Sequence, residues 1–328
     1  MTPKLICPHC RIQILHKGEV WACDKCGRVY PYREGVLSFL EAQESFNPTN
    51  FEDEQEAAWT TSAQLRDRIR SSKLLSFLNW LRIHISISGR RDRIFYKAMH
   101  RNDSGRLILD IGCGGGRHYF CDYGTVIGID PVLELLQIAK TIYSEVYHAS
   151  AFALPFGDNT FDYVVSSDVI GHISNEDKDR LFSEMYRVLK PGGRTVHVIE
   201  TDADNIWLRY LRRNPAWFKE IFVDRPGHIG LELPSQLRNR FLRAGFKQVR
   251  FEKFVGTVPD CGFLSACFDN EIKNQSRILG TAVFLDRILA SHPVLKEATN
   301  VLLEPASKIS NLFTSIDDSH GTLVVFEK

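Results

Sequence analysis

The sequence predicts an α/β protein built on a parallel sheet with helices on both faces, and three observations lead there. The apolar run Leu107-Ile108-Leu109-Asp110-Ile111 enters the alternating glycines of Gly112-Cys113-Gly114-Gly115-Gly116. That is the pattern of a strand turning sharply into a loop that lets a ligand approach bare backbone. A second apolar strand, Val126-Ile127-Gly128-Ile129-Asp130, ends in an acid 20 residues after Asp110, where a carboxylate can take both hydroxyls of a ribose. Beyond it, strand-like and helix-like stretches keep alternating.

In order, the spacing predicts a strand at 107 to 110, a helix from about 116, a strand at 126 to 130 and a helix at 132 to 144. A strand at 161 to 167, a helix at 177 to 189, a strand at 194 to 200 and a helix at 234 to 244 follow. The dinucleotide fingerprint places its third glycine three residues after the second, and position 117 is Arg, so a nicotinamide cofactor fits this loop poorly.

Upstream, Cys7-x2-Cys10 and Cys23-x2-Cys26 are separated by 12 residues, two thiolate pairs on two knuckles that can close tetrahedrally on zinc. Residues 1 to 40 are therefore expected to form a zinc ribbon of short strands, in which the metal replaces a core so short a segment cannot build. Two disulfides would need an oxidising compartment, and the start Met1-Thr2-Pro3-Lys4-Leu5-Ile6-Cys7 lacks the apolar core of a signal peptide. Cys113, Cys121, Cys261 and Cys267 have no such spacing and read as small hydrophobes.

With 328 residues the chain is long for one core, so a catalytic domain with smaller pieces attached is expected. The net charge of +1 argues against wholesale binding of a polyanion, and no apolar run approaches the roughly 20 residues of a spanning helix, which makes the cytoplasm the expected location. Residues 41 to 56 hold six acids and no Lys or Arg, the composition of a solvated linker. Residues 66 to 101 reverse the sign, with ten Lys or Arg against Asp67 and Asp92. Inside that segment Leu74, Leu75, Phe77, Leu78, Trp80, Leu81, Ile83 and Ile85 make an apolar helix broader than one face needs. It either packs on the catalytic domain or docks peripherally on an anionic membrane surface or a phosphorylated substrate. The domains so read are 1–40, a linker with the basic amphipathic helix at 41–89, and 90–328.

Three further stretches complete a pattern: Leu154-Pro155-Phe156-Gly157-Asp158-Asn159-Thr160-Phe161-Asp162, the strand Tyr163-Val164-Val165-Ser166-Ser167-Asp168, and Met185-Tyr186-Arg187-Val188-Leu189-Lys190-Pro191-Gly192-Gly193-Arg194 before another strand. With the glycine loop they make the region from about 90 to 256, plus the last few residues, resemble the class I S-adenosylmethionine-dependent methyltransferases. The resemblance implies a Rossmann-like seven-stranded sheet whose last two strands, 246–252 and 322–327, pair antiparallel at its edge. The residues between them, about 257 to 320, form a helical insertion expected at Leu264 to Leu279, Ala282 to Leu289 and Leu295 to Leu303.

The resemblance also implies a site. Asp110 and the loop Gly112, Cys113, Gly114 and Gly116 face the methionine part and ribose of S-adenosyl-L-methionine, while Asp130, followed by Pro131, holds the ribose hydroxyls. Where the family often places an acid for the adenine amine this chain has Ala149-Ser150-Ala151, so Ser150, or the backbone of Ala151 and Phe152, takes that part. Ser167 and Asp168 end the fourth strand, where the family lines the passage to the acceptor.

Methyl transfer from a sulfonium is an in-line displacement that needs alignment and exclusion of water more than covalent help. His172 is a candidate base for an alcohol or phenol acceptor, with a positioned structural residue touching the cofactor's amino-acid end as the alternative. His228 and Glu200 are further candidates, with Asp202 beside Glu200, whereas His197 alternates with Val196 and Val198 and is expected to pack. The acceptor classes these residues leave open are a small molecule, a glycan or a lipid-linked intermediate. An rRNA or tRNA base is the second reading, which the ribbon and basic segment suit. Against it, Ser167-Asp168-Val169-Ile170 stands where an Asn-Pro-Pro-Tyr type of base clamp would be. A cofactor-binding scaffold without catalysis is the third.

Overall fold

The computed structural model describes residues 3–18, 20–40, 73–87, 89–99, 105–254, 256–268 and 277–328. The acidic stretch at 41 to 56 and the basic residues Arg66, Arg68, Arg70 and Arg101 lie outside these. Two short cysteine knuckles frame β1 (Leu15–Lys17), β2 (Val20–Ala22) and β3 (Val29–Tyr30), a small antiparallel sheet. The next hairpin, β4 (Tyr32–Arg33) and β5 (Val36–Ser38), leaves that sheet and joins the large one, Leu37 pairing with Tyr147 and Ser38 with His148.

Two helices cover the basic segment, α1 (Lys73–Ile85) and α2 (Arg90–Ala98). Then follow β6 (Leu107–Ile111), β7 (Thr125–Asp130), α3 (Leu133–Ala139), β8 (Glu145–His148), β9 (Phe161–Ser167), α4 (Lys178–Val188) and β10 (Leu189–Glu200). α5 (Ile206–Leu211), α6 (Pro215–Lys219), α7 (Pro234–Arg243), β11 (Lys247–Lys253), α8 (Phe263–Phe268), α9 (Arg277–Ser291), α10 (Pro293–Phe313) and β12 (Gly321–Glu327) complete the chain. The large sheet runs β11-β12-β10-β9-β6-β7-β8-β5-β4. The strands β10, β9, β6, β7 and β8 are parallel, while β12 is antiparallel to both β10 and β11. It is the α/β Rossmann-like sheet of seven strands with a hairpin from the ribbon added at one edge.

Alternation along each strand divides the core between the two faces. Leu107, Leu109 and Ile111 enter one cluster and Ile108 the other, as the two-residue period of a strand requires. The first cluster also takes Leu5, Cys7, Ile14, Cys23 and Tyr30. The ribbon is thus not a separate module: its apolar side is part of the main core, and Arg11 clamps Glu184 of α4 with two bonds of 2.8 and 2.9 Å. So few residues cannot bury both faces of their own sheet, and the larger domain supplies the missing face.

Three helix expectations change in detail. In place of a helix from 116, one 3₁₀ turn spans His118–Asp122. Phe120 and Tyr123, three residues apart, are fully buried, the spacing that a turn of three residues stacks on one side. α3 stops at Ala139, well before 144, which frees Tyr143 to reach the glycine loop. In the insertion, the expected break between 279 and 282 is absent: α9 is continuous, and α10 runs ten residues past Leu303 through Pro305. α5, α6, α8 and α9 together bury a third, smaller cluster around Leu211, Cys267, Phe268 and Val283.

Of the two readings of the basic segment, the described residues favour packing on the catalytic domain. Arg90 and Arg93 face inward onto Glu304 of α10, with N to O distances of 2.8 and 3.4 Å, and the acid is almost completely buried. Arg91 pairs with Asp168 and Arg82 with Asp92 at 2.6 Å. These arginines are held by acids of the fold, because a helix end this close to the sheet has carboxylates in reach. Phe77, Trp80 and Ile85 of α1 are exposed and Ile83 is buried. Among the described residues no helix is long and apolar enough to cross a membrane.

Candidate active site

The carboxyl ends of β6, β7, β9 and β10 open into a cavity of 1760 Å³. Ligand pockets run to about 1,000 Å³, so this one has room for two bound molecules. One wall is backbone. Gly112 has φ +63°, and a Cβ there would lie 2.7 Å from the Val169 side chain, so only glycine lets the loop and the end of β9 meet. Asp130 closes the loop from below, its Oδ2 accepting from Gly114 N at 2.8 Å and its Oδ1 from Val132 N at 2.9 Å. Burial pushes its carboxyl up to about 6 against those two bonds. A carboxylate has about four acceptor positions, so two remain for ribose hydroxyls.

The structure separates Asp110 from that wall. Its Oδ2 receives the Tyr143 hydroxyl at 2.6 Å, and the same hydroxyl accepts from Arg117 N at 2.7 Å. Burial raises the Asp110 carboxyl to about 7. Asp110 and Gly116 do not line the cavity, whereas Gly112, Cys113, Gly114, Asp130, Pro131, Ser150, Ala151, Phe152, Ser167 and Asp168 all do. Asp110 staples the loop from behind, since the end of a fully buried strand points its side chain into the core. The Ser150 hydroxyl accepts from Phe152 N at 3.2 Å and so shapes the turn that presents Ala151 and Phe152.

The opposite wall is made of side chains from distant segments. Asp168 sits at φ +62°, uncommon for a residue with a side chain, and its Oδ2 is held by Arg91 and, at 3.0 Å, by the Ser167 hydroxyl. The turn Ile170–His172 follows. The loop carrying His228 is clamped onto it by Gly230 N to Gly171 O at 3.1 Å and by buried Lys178, which meets Gly230 O and, at 3.1 Å, Glu232. A Cβ on Gly230 would fall 1.7 Å from Ile173 O, so this close approach demands glycine.

The clamp brings the three candidate catalytic residues together. The rings of His172 and His228 stand 4.7 Å apart, and His228 Nε2 is 3.8 Å from Glu200 Oε2. His172 Nδ1 donates to Gly227 O at 3.2 Å and His228 Nδ1 to Phe222 O at 2.9 Å. Burial holds both rings below the usual histidine range, and burial with the neighbouring Asp168 charge pushes the Glu200 carboxyl well up. Asp202 is drawn away to Arg212, and His197 is packed inside the sheet against Ser166 Oγ at 2.7 Å, as its alternation predicts.

The third part of the wall comes from the ribbon. Pro8, His9, Arg28, Tyr30 and Arg33 line the same cavity as the glycine loop, and Ser38 joins it through His148: Ser38 Oγ lies 2.9 Å from His148 Nδ1, whose Nε2 lies 3.1 Å from Pro131 O. In the ribbon, ligand atoms of Cys7, Cys10, Cys23 and Cys26 lie within 4.8 Å of one another. Cys7 Sγ and Cys26 Sγ are 3.8 Å apart, about the edge of a tetrahedron of thiolates bound at about 2.3 Å to zinc. Cys10 N and the Tyr30 hydroxyl donate to Cys7 Sγ at 3.4 and 3.0 Å, the bonds a thiolate ligand attracts.

Residues 109–197 match the model of the methyltransferase domain family. The chain is 30% identical over 174 residues to a demethylmenaquinone methyltransferase of Lactiplantibacillus plantarum, an alignment covering 45% of this chain and 73% of that protein. This chain belongs to the class I S-adenosylmethionine-dependent methyltransferases. The methyltransferase is also 28% identical over 188 residues to the demethylmenaquinone methyltransferase of Oceanobacillus iheyensis, covering 47% of this chain and 75% of that one. Among solved structures it is similar to Haemonchus contortus phosphoethanolamine N-methyltransferase 2 in complex with phosphomonomethylethanolamine and S-adenosylhomocysteine. The TM-score is 0.45 and the identity 23%, over 73% of this chain and about half, 52%, of that one.

Sequence reasoning missed Arg91, Arg117, Tyr143 and the ribbon arginines as parts of the methyltransferase's site. Tyr143 carries no usable signal, since it falls inside the helix expected at 132 to 144 and only the structure ends that helix at Ala139. The arginines carry none, because charge on a helix or in a hairpin reads the same whether it faces water or a cavity.

Proposed function

We propose that this methyltransferase passes the methyl group of S-adenosylmethionine to an anionic small-molecule, glycan or lipid-linked acceptor lying between the ribbon and the loop that carries His228. One observation carries this reading: the cavity that holds the glycine loop is lined by Arg28 and Arg33 of the ribbon, Arg180 of α4 and Arg225 of the loop. Arginine forks suit phosphate and carboxylate. The lipid-linked form is supported by exposed apolar residues on α1 and α10, namely Phe77, Trp80, Leu302, Leu312 and Phe313, which also support peripheral contact with a membrane. In the ribbon, Cys7, Cys10, Cys23 and Cys26 would hold a structural zinc.

In the transfer, a lone pair on the acceptor forms the new bond to the methyl carbon. The S–C bond breaks with its pair remaining on sulfur, leaving S-adenosylhomocysteine. The acceptor's proton is lost at the trio His172, Glu200 and His228. Asp130 and the glycine loop orient the cofactor, and Asp168, tied to Arg91, fixes the turn that presents His172.

Tritiated methyl groups supplied from labelled cofactor to a fractionated cell extract test the reading. Label is expected in a nuclease-resistant anionic product, in the lipid extract where the acceptor is lipid-linked. Nuclease-sensitive label would transfer the reading to an rRNA or tRNA base. No label in any fraction would leave a cofactor-binding scaffold.

A further inference from the structure

The trio at the mouth of the cofactor loop has a chemical imbalance. A backbone carbonyl only accepts, so the bonds from His172 Nδ1 to Gly227 O and from His228 Nδ1 to Phe222 O place each ring's proton on Nδ1. A neutral ring then carries its lone pair on Nε2. Glu200 brings a third set of lone pairs, and its Oε2 is buried with no hydrogen-bond partner among the described residues. One ligand-type atom from each of the three lies within 4.8 Å of the others. Asp168, on the other side of Glu200, already has its charge met by Arg91 and, at 3.8 Å, by Arg117. A single cation placed between them would meet a donor atom of each of the three.

We propose that His172, Glu200 and His228 form a binding site for one divalent transition-metal cation, distinct from the cysteine site and open toward the acceptor. The donor set suits it: two imidazoles and one carboxylate are the ligands of open zinc and iron(II) sites, with positions left for a substrate oxygen. The outer bonds suit it too, since a metal-bound histidine characteristically gives its second N–H to a carbonyl or carboxylate, and both rings do so here. Ligand atoms about 2.1 Å from a tetrahedral cation lie about 3.4 Å apart, so the 3.8 Å between His228 Nε2 and Glu200 Oε2 needs closure of only a few tenths of an ångström. The geometry stands alone. The cation's role, holding and acidifying an acceptor oxygen beside the sulfonium so that its proton leaves to water rather than to the three ligands, rests on the function proposed above.

Titration of the full chain, its cysteines loaded with zinc, with Co2+ tests the site. One further equivalent is expected, giving visible d–d bands without the near-ultraviolet thiolate band that exchange into the cysteine site would add. Glu200→Gln and His228→Ala are each expected to weaken that binding by about a hundredfold, since loss even of an outer-shell partner costs 10- to 100-fold. Both variants should bind S-adenosylmethionine as the wild type does, which shows that they are folded. No second equivalent on the wild-type chain overturns the proposal whatever the variants do. A second equivalent undiminished in both folded variants overturns it as well. Cation binding without methyl transfer would strike the proposed function and leave the site standing.

Discussion

The two walls of the cavity are built in opposite ways. On the side of the glycine loop the lining comes from short consecutive runs: Gly112 to Gly114 between one strand and the next turn, Asp130 and Pro131 at the end of the following strand, and Ser150 to Phe152 after the third. Most of what they offer is backbone, and the one buried carboxylate, Asp130, spends two bonds ordering its own loop. On the opposite side most of the lining residues carry large side chains, and the set comes from the ribbon, α2, the turn after β9, α4, the end of β10 and the loop before α7. A wall of backbone tolerates many neighbours and can serve any acceptor. A wall of side chains is specific, and each member depends on a distant partner for its place.

That contrast predicts where damage spreads. Cys23→Ser should remove the ribbon metal altogether, and since a structural zinc contributes on the order of 10 kcal/mol to so small a unit, the ribbon's part of the acceptor wall should go with it. Elemental analysis gives the metal count. Transfer is expected to fall far more than cofactor affinity; equal losses would mean the two walls are one unit. Next in size is Glu304→Ala, which leaves Arg90 and Arg93 facing a vacancy in a buried network. Removing one partner of such a network costs about 3 to 5 kcal/mol, so thermal unfolding should move down by many degrees. For the same reason, replacing Arg90, Arg91 and Arg93 together by Ala should destabilise the chain, and lost membrane binding in that variant would not identify a membrane face.

The cofactor wall should respond more gently. Asp130→Ala is expected to cost about 1 to 3 kcal/mol of cofactor affinity by calorimetry, and an unchanged affinity would remove Asp130 from the ribose. Its titration sharpens the same point. With the folded carboxyl at about 6 rather than near the ordinary value of about 4, this group favours the folded apo-protein when protonated, and that contribution is lost as pH rises from about 4 to about 6. The ribose hydroxyls need the ionised form as acceptor, so affinity should rise between pH 5 and 7 and level off above. Its titratable neighbours are Asp110 and Cys113, and Asp130→Asn should flatten the part of the profile that belongs to Asp130. The smallest effect expected is for Ser38→Ala, which removes the bond that fixes His148 beneath Pro131 and should cost about 1 kcal/mol or less in cofactor binding.

Much of the fold was legible because its signals are local. The glycine loop, Asp130, the strand from Phe161 and the helix before Pro191-Gly192-Gly193 each announce themselves within ten residues. From its place beside the glycines, Asp110 reads as a cofactor contact. Its real partner is Tyr143, 33 residues on, and nothing in the spacing points to a hydroxyl that also holds Arg117 N. For the arginines of α2 the sequence left packing and docking open, for a related reason. A charge excess counted along the chain takes no account of Glu304, which arrives more than two hundred residues later.

By itself, the sequence determined the order of strands and helices, the glycine loop, the acid that ends the following strand and the two cysteine knuckles. All of these are set by steric and bonding rules that act over a few neighbouring residues. Only the tertiary structure decided that the ribbon shares the main core and lines the cavity, that Asp110 bonds Tyr143 instead of lining that cavity, and that His172, Glu200 and His228 meet. Those outcomes depend on which buried polar groups find partners once the sheet has closed, and burial makes an unmet charge or hydrogen bond costly at any separation along the chain.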